Sequence, residues 1–146
     1  MAVLKPPTGK KYYTPASANA TLPLVRVIVR DVTELARELR ERHERLSGAL
    51  SGKRSGLSDA HQEELLQAQQ EVERGQERMH EYERELKELG IELKDYFIGL
   101  IDFPCWMDGR DVYLCWRLGE PEIAFWHELD EGFGGRHKLL TPTSRR

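Results

Sequence analysis

The sequence predicts an α+β fold: a long antiparallel α-helical hairpin, coiled-coil-like, packed on a small three- to four-stranded antiparallel β-sheet. Three observations carry this. From Asp31 to Glu88 there are 25 charged residues and one aromatic, Tyr82. From Ile91 onward lie nine of the chain's twelve aromatics. Between Ser51 and Gly56 a short Ser/Gly-rich run divides two stretches of helical periodicity. A charge-rich, aromatic-poor segment suits solvated helices, and a short segment dense in aromatic and β-branched residues suits a sheet.

The 146 residues fit one domain, with a basic tail at 1–13, a first helical segment over 14–50, a second helix over 58–89, a β-rich lobe over 91–135 and a basic tail at 136–146. Thr14-Pro15 reads as an N-cap followed by proline at the first helical position. Leu22, Val25, Val29, Val32, Ala36, Leu39, His43, Leu46 and Leu50 alternate spacings of three and four, which defines a helix seam. Pro23 predicts a kink, or a short helix followed by a longer one. The seam resumes at His61, Leu65, Ala68, Val72, Gly75, Met79, Tyr82, Leu86 and Leu89. Ser58 is the expected cap of the second helix, and Gly90-Ile91 its left-handed terminator, with Ile91 folding back on Leu86. At 1.5 Å per residue each helix should run roughly 40–50 Å.

Leu24, Val27, Ile28 and Leu35 lie off the seam, so the start of the first helix is apolar over a wide arc and needs a second partner. The C-terminal lobe and another copy of the chain are the two expected partners, giving a homodimer through the helices.

In the lobe, Asp108-Gly109 is a two-residue hairpin turn. It pairs Met107 with Arg110, Phe103 with Leu114 and Ile101 with Trp116. One face is then apolar, and the other carries Asp102, Tyr113, Cys115 and Arg117. A third strand is expected over Glu122–His127, phased so that Ile123, Phe125 and His127 join the apolar face and Glu122 approaches Arg117. Ile91–Lys94 or Lys11–Tyr13 should supply an edge strand.

Composition excludes several functions. No stretch approaches the roughly 20 apolar residues of a membrane span. The N-terminus lacks the apolar core of a secretory signal, so the cytoplasm is the expected location. Two cysteines make no disulfide framework, and the strand register puts them on opposite faces. The tails carry three and four bases with no acid, while the residues between sum to −10 (15 bases, 25 acids), which makes nucleic acid an unfavoured partner. No Walker loop, Gly-x-Ser-x-Gly, His-Glu-x-x-His or dinucleotide fingerprint occurs.

The segment least like scaffolding is Trp126–Arg136, in which His127, Glu128, Asp130 and Glu131 precede three glycines and Arg136. With Asp102 and Arg117, charges set within strands, it defines a candidate ligand site: Asp102, Arg117, His127, Glu128, Asp130 and Arg136. His127, Asp130 and Asp102 are the candidate ligands of a divalent metal. Arg117 or Arg136 could hold an anion. An acid–base reading assigns proton transfer to His127 with the carboxylates of Asp102, Glu128 and Asp130. Each feature also has a structural reading: a cross-strand ion pair, a satisfied core histidine, a Gly-rich turn. Cys105, Cys115, His127 and His137 lack the tight Cys-x-x-Cys pair of most zinc sites, and His43 with His61 near the hairpin's end lack a third ligand.

The chain resembles a family of small bacterial proteins, domain of unknown function 2203. The resemblance rests on Tyr13-Thr14-Pro15 to Ala18-Asn19, Leu22-Pro23-Leu24-Val25, Gly99–Pro104, Gly109–Glu120, Trp126–Asp130, Gly132-Phe133 and Gly135-Arg136. It implies a bacterial, intracellular protein and assigns no catalytic residue or cofactor. The expected function is a non-enzymatic homodimeric interaction or small-ligand-binding module. The alternative is a small metal-dependent or acid–base enzyme.

Overall fold

The computed structural model describes residues 9–52 and 58–140. Two long helices, α1 (Pro15–Gly52) and α2 (Asp59–Glu88), precede five strands: β1 (Glu92–Asp95), β2 (Leu100–Met107), β3 (Arg110–Arg117), β4 (Phe125–Glu128) and β5 (His137–Lys138). The strands form one antiparallel sheet in the order β1-β2-β3-β4-β5. The architecture is α+β, with five strands instead of three or four.

Helix α1 begins where the cap chemistry places it. Thr14 Oγ1 accepts from the Ser17 amide at 3.0 Å, and Ser17 Oγ accepts from the Thr14 amide at 2.9 Å. It is one continuous helix through Pro23, not two, and it ends two residues beyond Leu50. Its 38 residues span about 57 Å, longer than the sequence estimate, and the 30 of α2 about 45 Å. The rest of the expected loop, 53–57, lies outside the described residues, as do 1–8 and 141–146 of the tails.

Ser58 caps α2, its side chain accepting from the His61 amide at 3.2 Å. At the other end the Ile91 amide bonds the Leu86 carbonyl and the Gly90 amide the Lys87 carbonyl, both at 2.9 Å, with Gly90 at φ +78°. That is a Schellman motif, and Leu86 and Ile91 are both buried. The helices run antiparallel: Leu39 meets Gly75, and Arg42 bridges Glu38 on its own helix and Glu71 on the other. His43 faces Gln76 while His61 turns back to Ser58, so the two histidines have separate partners.

One core joins helices and sheet. Val25, Val29 and Val32 from α1 and Leu86 from α2 pack with Ile101, Phe103, Val112, Leu114 and Trp116. Of the off-seam residues of α1, Ile28 and Leu35 join this core, whereas Leu24 and Val27 stay exposed. Tyr13 fastens the N-terminal segment: its amide bonds the Pro104 carbonyl at 2.7 Å, its hydroxyl the Leu89 carbonyl at 2.6 Å, and its ring meets Phe103 edge-on. Lys11–Tyr13 therefore docks on the sheet without forming a strand; the added edge strand is β1. Residues 137–138, expected in the basic tail, form β5 instead, and Leu139 behind them is buried.

No described helix is long and apolar enough to cross a membrane.

Candidate functional site

Asp108 and Gly109 take φ +53° and +80°, the two left-handed positions of a type I′ turn, and fix the β2–β3 register as the sequence dictates. Asp102 stands opposite Cys115. Strand β4 then sets Phe125 opposite Cys115, His127 opposite Tyr113 and Trp126 opposite Leu114. Asp102, Tyr113, Cys115, Phe125 and His127 therefore share the face turned away from the helices.

This reverses the expected phase of the third strand. Pairing starts at Phe125, not Glu122, and Ile123 is buried in the connection before it. There Asn19 on α1 holds it at both backbone groups, Oδ1 accepting from the Ile123 amide at 2.8 Å and Nδ2 donating to its carbonyl at 3.3 Å. Phe125 can face the other side because the Arg136 guanidinium covers its ring at 3.8 Å. Trp126 takes the inward position, packed against the core, and His127 moves to the face of Asp102.

His127 reaches diagonally across β3 to Asp102. Its Nε2 lies 3.0 Å from Asp102 Oδ1, its Nδ1 lies 2.7 Å from the Glu128 carbonyl, and both side chains are 3% exposed. A carbonyl oxygen can only accept, so Nδ1 carries a proton and donates it. Nε2 is then the ring atom that faces the Asp102 carboxyl. Burial pushes the Asp102 carboxyl above its usual range, against the opposing pull of His127, of the Cys115 thiol that donates to it, and of Lys94. Burial and the Asp102 charge together push the Cys115 thiol up to about 12.

A cleft of about 190 Å³ opens over this pair. Asp102 and His127 lie on its floor beside Tyr113, with Leu100, Leu129 and Phe133 as apolar walls and Lys94 and Glu131 at its edge. The segment after β4, with a single 3₁₀ turn at Phe133–Gly135, forms one wall. Glu131 braces it, its Oε1 accepting from the Glu128 amide at 3.0 Å and facing His137 Nε2 at 3.3 Å. Phe133 is held by two guanidinium groups, Arg136 at 4.6 Å and Arg117 at 5.5 Å from its ring centre.

Of the six candidate ligand residues, the structure brings Asp102 and His127 together. Arg117 and Arg136 converge on Phe133, with Arg136 also bound to Glu120 at 2.7 Å, so they support a wall of the cleft. Arg117 meets Glu120 where the sequence predicts Glu122: Glu120 Oε1 accepts from the Arg117 amide at 2.9 Å, and β4 pairing begins only at Phe125. Glu128 pairs with Arg110, and Asp130 is exposed in the following turn. The expected metal set His127, Asp130, Asp102 is not assembled. Among the described residues the grouped ligand atoms are those of Asp102, Cys115 and His127, all within 4.8 Å of one another. Cys115, which the sequence sets aside as a zinc ligand for want of a tight cysteine pair, stands here beside Asp102 and His127, and Tyr113 and Lys94 join the cleft without having been named as candidates.

The sequence matches the family described as an uncharacterized conserved protein (DUF2203) over residues 11–139. The chain belongs to this family. The match in this DUF2203 chain takes in both helices, the whole sheet and every residue of the cleft. No curated protein and no solved structure matches it.

Proposed function

We propose that the protein is a small-ligand-binding module whose site is the cleft over Asp102 and His127. The observation that carries this is the hydrogen-bonded Asp102–His127 pair on the floor of an apolar-walled opening, one wall of which is held by arginines stacked on Phe133. Such a floor offers a polar anchor, and the walls take an apolar body. At about 190 Å³ the cleft suits a ligand of a few heavy atoms. Screening a fragment library by backbone amide NMR is the direct test. Binders should perturb Lys94, Tyr113, Leu129 and Phe133, and Phe133→Ala should remove them. A library whose hits all map elsewhere would sink the reading.

A bacterial cytoplasmic setting accompanies this proposal, supported by the family resemblance and by two buried, unpaired thiols, which suit a reducing compartment. Homodimerisation through the helices is supported by Leu24 and Val27 on α1, 56% and 45% exposed, beside an open groove lined by Ile28 and Leu89. Light scattering reads this directly; a strict monomer at micromolar concentration overturns it.

The 3.0 Å contact between His127 Nε2 and Asp102 Oδ1 favours a second reading, acid–base catalysis by Asp102 and His127 alone, since Glu128 and Asp130 are engaged or placed elsewhere. A substrate screen with His127→Gln as the control tests it.

A further inference from the structure

We infer that Asp102, Cys115 and His127 form a mononuclear site for a borderline transition metal such as Zn²⁺, with the cleft supplying the remaining coordination position. The inference shares its cleft with the ligand-binding reading, but it depends on Cys115, which that reading does not use.

The donor set is the first argument. Thiolate, imidazole and carboxylate are each donors that zinc accepts, and three protein ligands leave the fourth position of a tetrahedral site open. A tetrahedral ion with bonds of about 2.0–2.3 Å sets its ligand atoms about 3.5 Å apart. Here Nε2 and Oδ1 are 3.0 Å apart and all three donor atoms lie within 4.8 Å of one another, a grouping that brackets that spacing.

Orientation is the second. A ligating histidine commonly donates its other ring proton to a backbone carbonyl, which fixes the tautomer and aims the free nitrogen at the metal. His127 has this arrangement, with Nδ1 on the Glu128 carbonyl at 2.7 Å. Both hydrogen-bonding sides of the ring are thereby accounted for, and Nε2 is the coordinating atom.

Charge is the third. A buried carboxylate beside a fully buried thiol is unfavourable unless compensated. Uptake of a divalent ion displaces the proton on Sγ and replaces the contact between Nε2 and Oδ1 with bonds to the ion. The product, a dication with one thiolate, one carboxylate and a neutral imidazole, has zero net charge, and the displaced protons leave to solvent. Asp102 and His127 both border the cleft, which gives the ion a route to the site and leaves room for water or a ligand head beside it.

The test uses the full chain, purified without chelator, stripped by dialysis and then titrated with Co²⁺ and Zn²⁺ alone. One equivalent should bind, the Co²⁺ form should show a thiolate-to-cobalt charge-transfer band, and uptake in unbuffered solution should release protons. Cys115→Ser should abolish the band and weaken Zn²⁺ binding at least about tenfold. Cys105→Ala, on the helix-facing side, should leave both unchanged. Less than a tenth of an equivalent bound, a cobalt spectrum without the thiolate band, or an unaltered affinity in Cys115→Ser overturns the proposal. If Cys115→Ser fails to fold, the thiolate-to-cobalt band on the wild-type chain and on Cys105→Ala decides by itself. Fragment binding at the cleft persisting when metal binding fails would separate the two readings.

Discussion

His127 Nε2 lies 3.0 Å from Asp102 Oδ1 across the width of β3, with both side chains withdrawn from solvent. Removing one member leaves the other buried without its counterpart. Asp102→Ala should therefore lose about 3–5 kcal/mol of stability in urea unfolding, whereas Asp102→Leu combined with His127→Leu should recover most of it. A loss under 1 kcal/mol in the single variant would mean that water reaches the site freely.

Gly99 sits at φ +69°, where a Cβ would stand 2.8 Å from Leu118 Cβ and 2.9 Å from Val29 Cγ1. Backbone strain and crowding add there, and Gly99→Ala should cost about 2–5 kcal/mol. Gly119, at φ +106° with open space around it, isolates the strain. Gly119→Ala should lower the melting temperature less. Equal shifts in the two variants would show that the contact between α1 and the start of β2 is loose.

Tyr13 ties the residue before the first helix to the end of the second through its hydroxyl on the Leu89 carbonyl. Tyr13→Phe should cost about 1 kcal/mol, the worth of one hydrogen bond, and Tyr13→Ala about 3–5 kcal/mol through the lost ring. Calorimetry on the two variants separates the bond from the packing.

Tyr96 donates to Glu83, joining the end of β1 to α2. Burial pushes the Glu83 carboxyl up, but the bonds from Tyr96 and His80 outweigh it and leave the group below its ordinary value of 4.5. The unfolded chain thus binds the proton more readily. This contribution is complete above that value and is lost as pH falls through the lower, folded one. On the alkaline side, the bond to Glu83 and burial push Tyr96 from 10.0 to about 12, so its contribution is complete below 10.0 and disappears as pH rises toward 12. Tyr96→Phe should flatten the stability profile at both ends, and at neutral pH should cost about 1 kcal/mol. An unchanged profile across both windows would contradict the pairing.

Much of the site was legible in the strand pattern. Asp108-Gly109 admits one tight turn, and alternation then places Asp102 beside Cys115 on the face opposite Phe103 and Leu114. His127 was the failure, since a phase error of one residue moved it to the wrong face. The misleading signal was Ile123, whose burial comes from the backbone bonds of Asn19, 104 positions earlier, and not from strand alternation. Phe125 compounded it, because an aromatic can face away from the core when Arg136 lies over it.

Local chemistry determined the helices. Thr14, Ser58 and Gly90 each do in the fold what their caps demand, because capping involves only neighbours within a few residues. The charge division along the chain likewise fixed the order of a solvated hairpin before an aromatic sheet. Only the tertiary structure decided which faces met: that residues 137–138 complete the sheet, that Arg117 and Arg136 stack on Phe133, and that Cys115 rather than Asp130 stands with Asp102 and His127. Those outcomes depend on contacts between residues far apart in sequence, where one register step inverts every side chain and no local pattern records the choice.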